Sequence, residues 1–176
     1  MTNAHKKEAW IVALVVLAAV ILFSYISSTH AEVVLEKPPE TAALSANDFT
    51  VSTSAGILTV GQTSRTEAMQ VYPQGENLGR SGVYRPKDLD CLLTFTKHED
   101  ILVRMDLGPG SSATARGIEV GNSFDQVVAK YGSNFTKAYD KMTPNIFDAY
   151  YGADRYILFK IEDDIVQKIF IGSPII

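Results

Sequence analysis

Two stretches of the chain share one rhythm about sixty residues apart, and any fold must accommodate both. "GILTVGQTSRTEAMQVYP" runs from Gly56 to Pro73, and "GIEVGNSFDQVVAKYG" from Gly117 to Gly132. Val60-Gly61 and Val120-Gly121 are offset by 60, Ser64 and Ser123 by 59. Three residues after each serine stands Glu67 or Gln126. A serine hydroxyl that accepts from the third N–H, with a Glu or Gln reaching back to the serine N–H, is a reciprocal helix start. Behind these caps, Ala68, Met69 and Tyr72 match Val127, Val128 and Tyr131, an apolar face at i, i+1 and i+4. Pro73 and Gly132 stop the pattern. The spacing therefore predicts two short capped helices, each laid on something else.

That something follows each helix. "FTKHEDILVRMDLG" (Phe95 to Gly108) lies over "FKIEDDIVQKIFIG" (Phe159 to Gly172) without a gap, at an offset of 64. Both halves alternate around an acidic turn, Glu99-Asp100 or Asp163-Asp164, as hairpin strands with one buried face do. Strands are expected near 81–85, 91–97 and 101–107, and again near 146–151, 155–161 and 165–171. The growth in offset from 60 to 64 falls to the loop between helix and strands, longer in the second copy. Each unit reads as a helix covering one face of a small antiparallel sheet, with the other face left available. The expected class is α+β, with an N-terminal transmembrane helix and two tandem helix-on-sheet repeats, 49–112 and 113–176.

The start of the chain has a different chemistry. "AWIVALVVLAAVILFSYI" (Ala9 to Ile26) has Ser24 as its one clearly polar residue; as an 18-residue helix it spans roughly 27 Å, close to a bilayer's hydrocarbon thickness. Lys6 and Lys7 precede it while Glu32 and Glu36 follow, which orients residues 1–8 to the cytoplasm and the rest outside. The run 9–26 reads as a signal anchor. The rival reading is a cleaved secretory signal ending at Ala31, within Thr29-His30-Ala31, which frees a secreted domain. Residues 27–48, with Pro38-Pro39 among acids and small residues and neither helical nor strand period, read as a tether.

Charge and cysteine usage narrow the function classes. Outside residues 1–31 the chain carries 14 basic and 19 acidic side chains, a formal charge of −5. That balance argues against nucleic acid as a partner and against general attraction to an anionic membrane surface. The single cysteine, Cys91, allows no internal disulfide, and no cysteine follows the apolar run to take a lipoprotein acyl chain. Gly117 and Gly121 open a helix without the Gly-Lys-Ser/Thr of a phosphate loop. Cys91 and His98 on one strand point to opposite sides, roughly 23 Å apart, and form no dyad. The three histidines draw no zinc set, the acidic turns lack calcium-loop spacing, and no cofactor is expected. Asn134-Phe135-Thr136 is a glycosylation sequon on paper.

The densest unusual segment is "AYDKMTPNIFDAYYGADRY", Ala138 to Tyr156. Aromatic and Met side chains bury large areas at low entropic cost, and interface centres use them. The bland reading places Phe147, Tyr150 and Tyr156 in the sheet core. The expected partner-binding residues are Tyr139, Met142, Phe147, Tyr150 and Tyr151, with Tyr84 in the first copy.

The paired "VG-x-(S/T)", helix and strand units, over roughly residues 52 to 172, resemble the tandem α/β repeats of β-lactamase inhibitor proteins. They also resemble the single-unit outer-membrane assembly lipoproteins of the SmpA/OmlA (BamE) type. The resemblance implies an α+β envelope or secreted module that binds another protein. The chain has neither the disulfides usual in the former nor the acylated cysteine of the latter. The expectation is a non-enzymatic, membrane-anchored extracytoplasmic binding module, of the inhibitor kind or otherwise. Its alternatives are a scaffold or assembly subunit of an envelope membrane complex and an enzyme.

Overall fold

The structure, a computed structural model, describes residues 32–79 and 82–173. The apolar run from Ala9 to Ile26 lies outside the described residues, among which no helix is long and apolar enough to cross a membrane.

Both helix starts form as the serine spacing requires. The Ser64 N–H donates to Glu67 Oε2 at 2.8 Å and the Glu67 N–H to the Ser64 hydroxyl at 3.3 Å, opening α1 (Arg65–Val71). Ser123 and Gln126 repeat the exchange at 2.8 and 3.3 Å and open α2 (Phe124–Tyr131). Gly132 ends α2 at φ +88°, a backbone conformation that costs glycine nothing.

Ahead of α1 come β1 (Val33–Glu36), a 3-10 turn (Ala46–Phe49) and the hairpin β2 (Thr50–Thr53) with β3 (Gly56–Thr59). Four strands, not three, follow each helix. They are β4 (Gly75–Leu78), β5 (Val83–Pro86), β6 (Cys91–Phe95) and β7 (Leu102–Leu107), then β8 (Thr136–Asp140), β9 (Ile146–Gly152), β10 (Tyr156–Glu162) and β11 (Ile165–Gly172). The unexpected members, β4 "GENL" and β8 "TKAYD", have no apolar alternation of their own. Each is recruited by hydrogen bonding to the stronger strand beside it.

The two meanders join through their last strands into one antiparallel sheet of nine strands, ordered β1-β8-β9-β10-β11-β7-β6-β5-β4. At the seam Met105 pairs with Ile171, Asp106 with Phe170 and Leu107 with Ile169. Exchanging residues 64 apart maps this set of pairs onto itself, so a pseudo-twofold axis passes between Asp106 and Phe170. Each helix start is stitched to its own copy's last hairpin in the same way. The Gly61 N–H donates to the Leu102 carbonyl at 2.7 Å and the Gly121 N–H to that of Val166 at 2.9 Å; Arg65 N–H to Asp100 and Phe124 N–H to Asp164 follow at 2.8 and 2.7 Å.

One face of the sheet supplies the core. Leu93, Phe95, Met105, Leu107, Phe159, Ile161, Ile169 and Ile171 are all buried, and they form one cluster with Val51 and Leu58 of the β2–β3 hairpin, Val60 just after it, Ala68 of α1 and Val127 of α2. Burial of each large apolar side chain contributes about 1.5–3 kcal/mol, which here substitutes for disulfides. Each copy also sends a tyrosine from its second strand to its helix end. The Tyr84 hydroxyl donates to the Tyr72 carbonyl at 2.7 Å and the Tyr151 hydroxyl to the Gly132 carbonyl at 2.9 Å, satisfying acceptors that a helix C-terminus leaves open.

Two expectations need correction. Residues 33–48 are no tether: β1 is the sheet's edge strand, paired with β8, and the Ala42 N–H donates to the Asn134 carbonyl at 2.9 Å. Asp48, 2% exposed, takes both prongs of Arg116 at 2.6 and 2.7 Å and the Ser45 N–H at 2.7 Å. Burial raises its carboxyl, but the Arg116 and Ser45 hydrogen bonds outweigh this and hold it below the ordinary value. The extra length of copy two does lie between its helix and β9, but in a hairpin rather than a plain loop. Asn77 faces Tyr84 across seven positions while its counterpart Lys137 faces Ala149 across twelve, so the β8–β9 hairpin is five residues longer. The ungapped strand alignment is off by two before the turn, because four residues (97–100) join β6 and β7 where Asp163-Asp164 alone join β10 and β11. Those two aspartates sit at φ +49° and +62°, a two-residue turn that matches strand twist.

Candidate functional site: the open face of the sheet

Side chains alternate across a strand, so the residues between the core positions project from the opposite face. No described helix or strand covers that face. Across it runs a straight row set by register: Thr136 opposite Tyr150, Tyr150 opposite Leu158, Leu158 opposite Phe170, Phe170 opposite Asp106 and Asp106 opposite Leu92. Arg85 and Glu76, themselves paired, continue it on β5 and β4. Tyr150 and Phe170 are half-buried by their neighbours, and Leu158 is buried between them.

Charges frame the row at the axis. The Arg104 guanidinium holds Asp106 by two hydrogen bonds of 2.5 and 2.7 Å and lies 4.8 Å from the Phe170 ring centroid. Lys168, its counterpart across the axis, stands 6.0 Å from the same centroid. Phe170 is therefore an aromatic plate between two cations of equivalent position. Lys160 lies directly opposite Lys168 and is balanced by Asp148 at 3.5 Å. The Tyr156 ring packs across Gly172, where any Cβ would come within 2.8 Å of it, and lies 6.5 Å from the Tyr150 ring. Burial, then Asp148 and Tyr156, push the Tyr150 hydroxyl above its ordinary value, so it stays a neutral donor.

The expected site residues divide by face. Tyr150 lies on the open row and Met142 at the exposed tip of the β8–β9 hairpin. Tyr139, on β8, donates its hydroxyl to Glu36 of β1 at 2.8 Å and lies under Lys137. Tyr84, Phe147 and Tyr151 are buried on the helix side and offer no surface to a partner. Tyr151 packs against Tyr131 and Phe159 there, and Phe147 against Phe124. Adjacent strand residues point oppositely, so Tyr150 and Tyr151 never share a surface. Phe170, Leu158 and Arg104 are not among the expected site residues, although the alternation of "FKIEDDIVQKIFIG" places Phe170 on the side away from Ile169 and Ile171.

Cys91 is buried, and burial first, with Asp106 and Asp90 nearby, pushes its thiol up to about 12, far from a reactive thiolate. No protein-family model, no curated protein and no solved structure matches the chain.

Proposed function

We propose that the chain is a non-enzymatic, membrane-anchored extracytoplasmic module that binds another envelope or secreted protein on the open face of its sheet. One observation carries this reading: the half-buried aromatics Tyr150 and Phe170 on the uncovered face, with Leu158 buried between them and Arg104 and Lys168 beside Phe170. Interface centres have this composition, aromatic and arginine-rich with a polar rim. A protonated, buried Cys91 supports the non-enzymatic part, since it supplies no nucleophile.

The test pairs Tyr150→Ser with Phe170→Ser in the full-length chain and follows partner retention from crosslinked membranes. The double variant keeps its circular dichroism spectrum and loses capture by about 2 kcal/mol, roughly thirtyfold. A folded variant that retains its partner undiminished refutes the open face as the binding surface.

A further inference from the structure

Five large apolar side chains that the fold leaves exposed gather at one end of the sheet. Val33 and Leu35 are 65% and 57% exposed on β1, Met142 is 84% exposed in the β8–β9 turn, and Ile146 and Ile165 are 41% and 38% exposed where β9 and β11 begin. Register brings them together. Val33 pairs with Asp140, the last residue of β8, and Ile146 and Ile165 both pair with Glu162. The pseudo-twofold axis sends the matching turns of copy one to the other end of the sheet. The five-residue extension that carries Met142 belongs to copy two alone.

The chain reaches the fold at this same end. Six residues, 27–32, separate Ile26 from Val33, a span of at most about 25 Å even when fully extended. From this we infer that the end of the sheet formed by Val33, Leu35, Met142 and Ile146 docks on the outer surface of the bilayer that holds the apolar run, with Met142 at the boundary of headgroups and acyl chains. The inference rests on the anchor of the proposed function being retained.

The chemistry selects the kind of surface. Met is flexible and apolar, suited to an irregular lipid boundary, and an apolar patch this close to a membrane finds there what water denies it. Asp140, Glu162, Asp163 and Asp164 outnumber Lys141 at the same end, so electrostatic attraction to anionic lipid is not the driving term. Part of that charge serves the turns themselves: Asp140 Oδ1 accepts the Met142 N–H at 2.9 Å and Asp163 Oδ1 accepts Asn145 Nδ2 at 2.7 Å. Zwitterionic lipid is the expected surface.

The test uses the full-length chain in phosphatidylcholine–phosphatidylethanolamine nanodiscs carrying doxyl-labelled lipid. Cys91 is buried, so a fluorophore attaches selectively at Met142→Cys or, as a control on another exposed apolar site, at Ile57→Cys. Trp10, the sole tryptophan, reports the apolar run independently. Docking predicts that doxyl lipid quenches Trp10 and the label at 142 but spares the label at 57. Adding Leu35→Asp and Val33→Asp then releases the label at 142 to a water-soluble quencher. Quenching of Trp10 without quenching at 142 overturns docking and leaves the anchor standing, whether water, a second copy or the chain's own apolar run occupies the patch. No quenching at Trp10 overturns the anchor and the docking together.

Discussion

The two copies agree on one face of the sheet and disagree on the other. At core positions equivalent across the axis, Met105 answers Ile169, Leu107 answers Ile171, Leu93 answers Phe159 and Phe95 answers Ile161, buried in every case. On the open face, Asp106 answers Phe170, Arg85 answers Tyr150, Glu76 answers Thr136, Thr94 answers Lys160 and Val83 answers Asp148, while Leu92 and Leu158, and the cations Arg104 and Lys168, are alike. Selection for a scaffold explains the first set, because each side chain fills the same space against a helix. The scaffold places no such demand on the second set. Copy two is the more apolar along the row through the axis, has the longer outer hairpin and carries β1 as an added edge; copy one ends at β4, whose Glu76 pairs with Arg85.

Substitutions in the core weaken the chain most. Leu93→Ala and Phe159→Ala, at equivalent sites, each cost about 3–4 kcal/mol in chemical denaturation, and Tyr151→Ser costs about as much. Tyr150→Ser, one residue away on the other face, costs less than about 1 kcal/mol. Comparable losses at Tyr150 and Tyr151 would erase the distinction between the faces.

Removing the charged tie between the segment before copy one and the start of copy two comes next. Asp48→Ala leaves Arg116 without its carboxylate partner, with only the Lys130 carbonyl still accepting from it, and costs about 3 kcal/mol. The folded carboxyl titrates below its ordinary value of 3.8, so its contribution is present above that value and is lost as pH falls through the folded pKa. The unfolding free energy of the native chain therefore falls more steeply below pH 3.8 than that of Asp48→Asn. Parallel acid profiles would remove Asp48 from the account.

The smallest effect tests the likeness of the copies. Ser64→Ala and Ser123→Ala each remove a helix cap and cost about 1 kcal/mol, by the same mechanism in each copy. A loss in one copy alone would show that the helix starts are not equivalent.

What the sequence disclosed follows from how local each cause is. The helix starts were legible because a capping box involves residues three apart, and Ser64–Glu67 and Ser123–Gln126 form it unaided. The strands near 91–97, 101–107, 155–161 and 165–171 were legible because their alternation is strong. β4, β8 and β1 were not, since "GENL", "TKAYD" and "VVLE" become strands only through a neighbour's hydrogen bonds. The two-residue slip between copies was hidden because a two-residue and a four-residue turn carry similar acids. Of the candidate site, Tyr150 and Met142 were found by aromatic and Met density, which ignores the pleat and so also selected the buried Tyr84, Phe147 and Tyr151. Phe170 and Arg104 needed the seam between copies, a pairing distant in sequence.

Whether copy two's half of the open face is the binding surface is decided by a photo-crosslinking amino acid placed at Tyr150 or at its counterpart Arg85. Irradiation of the full-length chain in its native membranes, read by the mass of the adduct, compares two positions on one face with one scaffold beneath them. Binding on copy two's half gives a discrete protein adduct from position 150 and none from position 85. An adduct from 85 alone, or equal adducts from both, would contradict it.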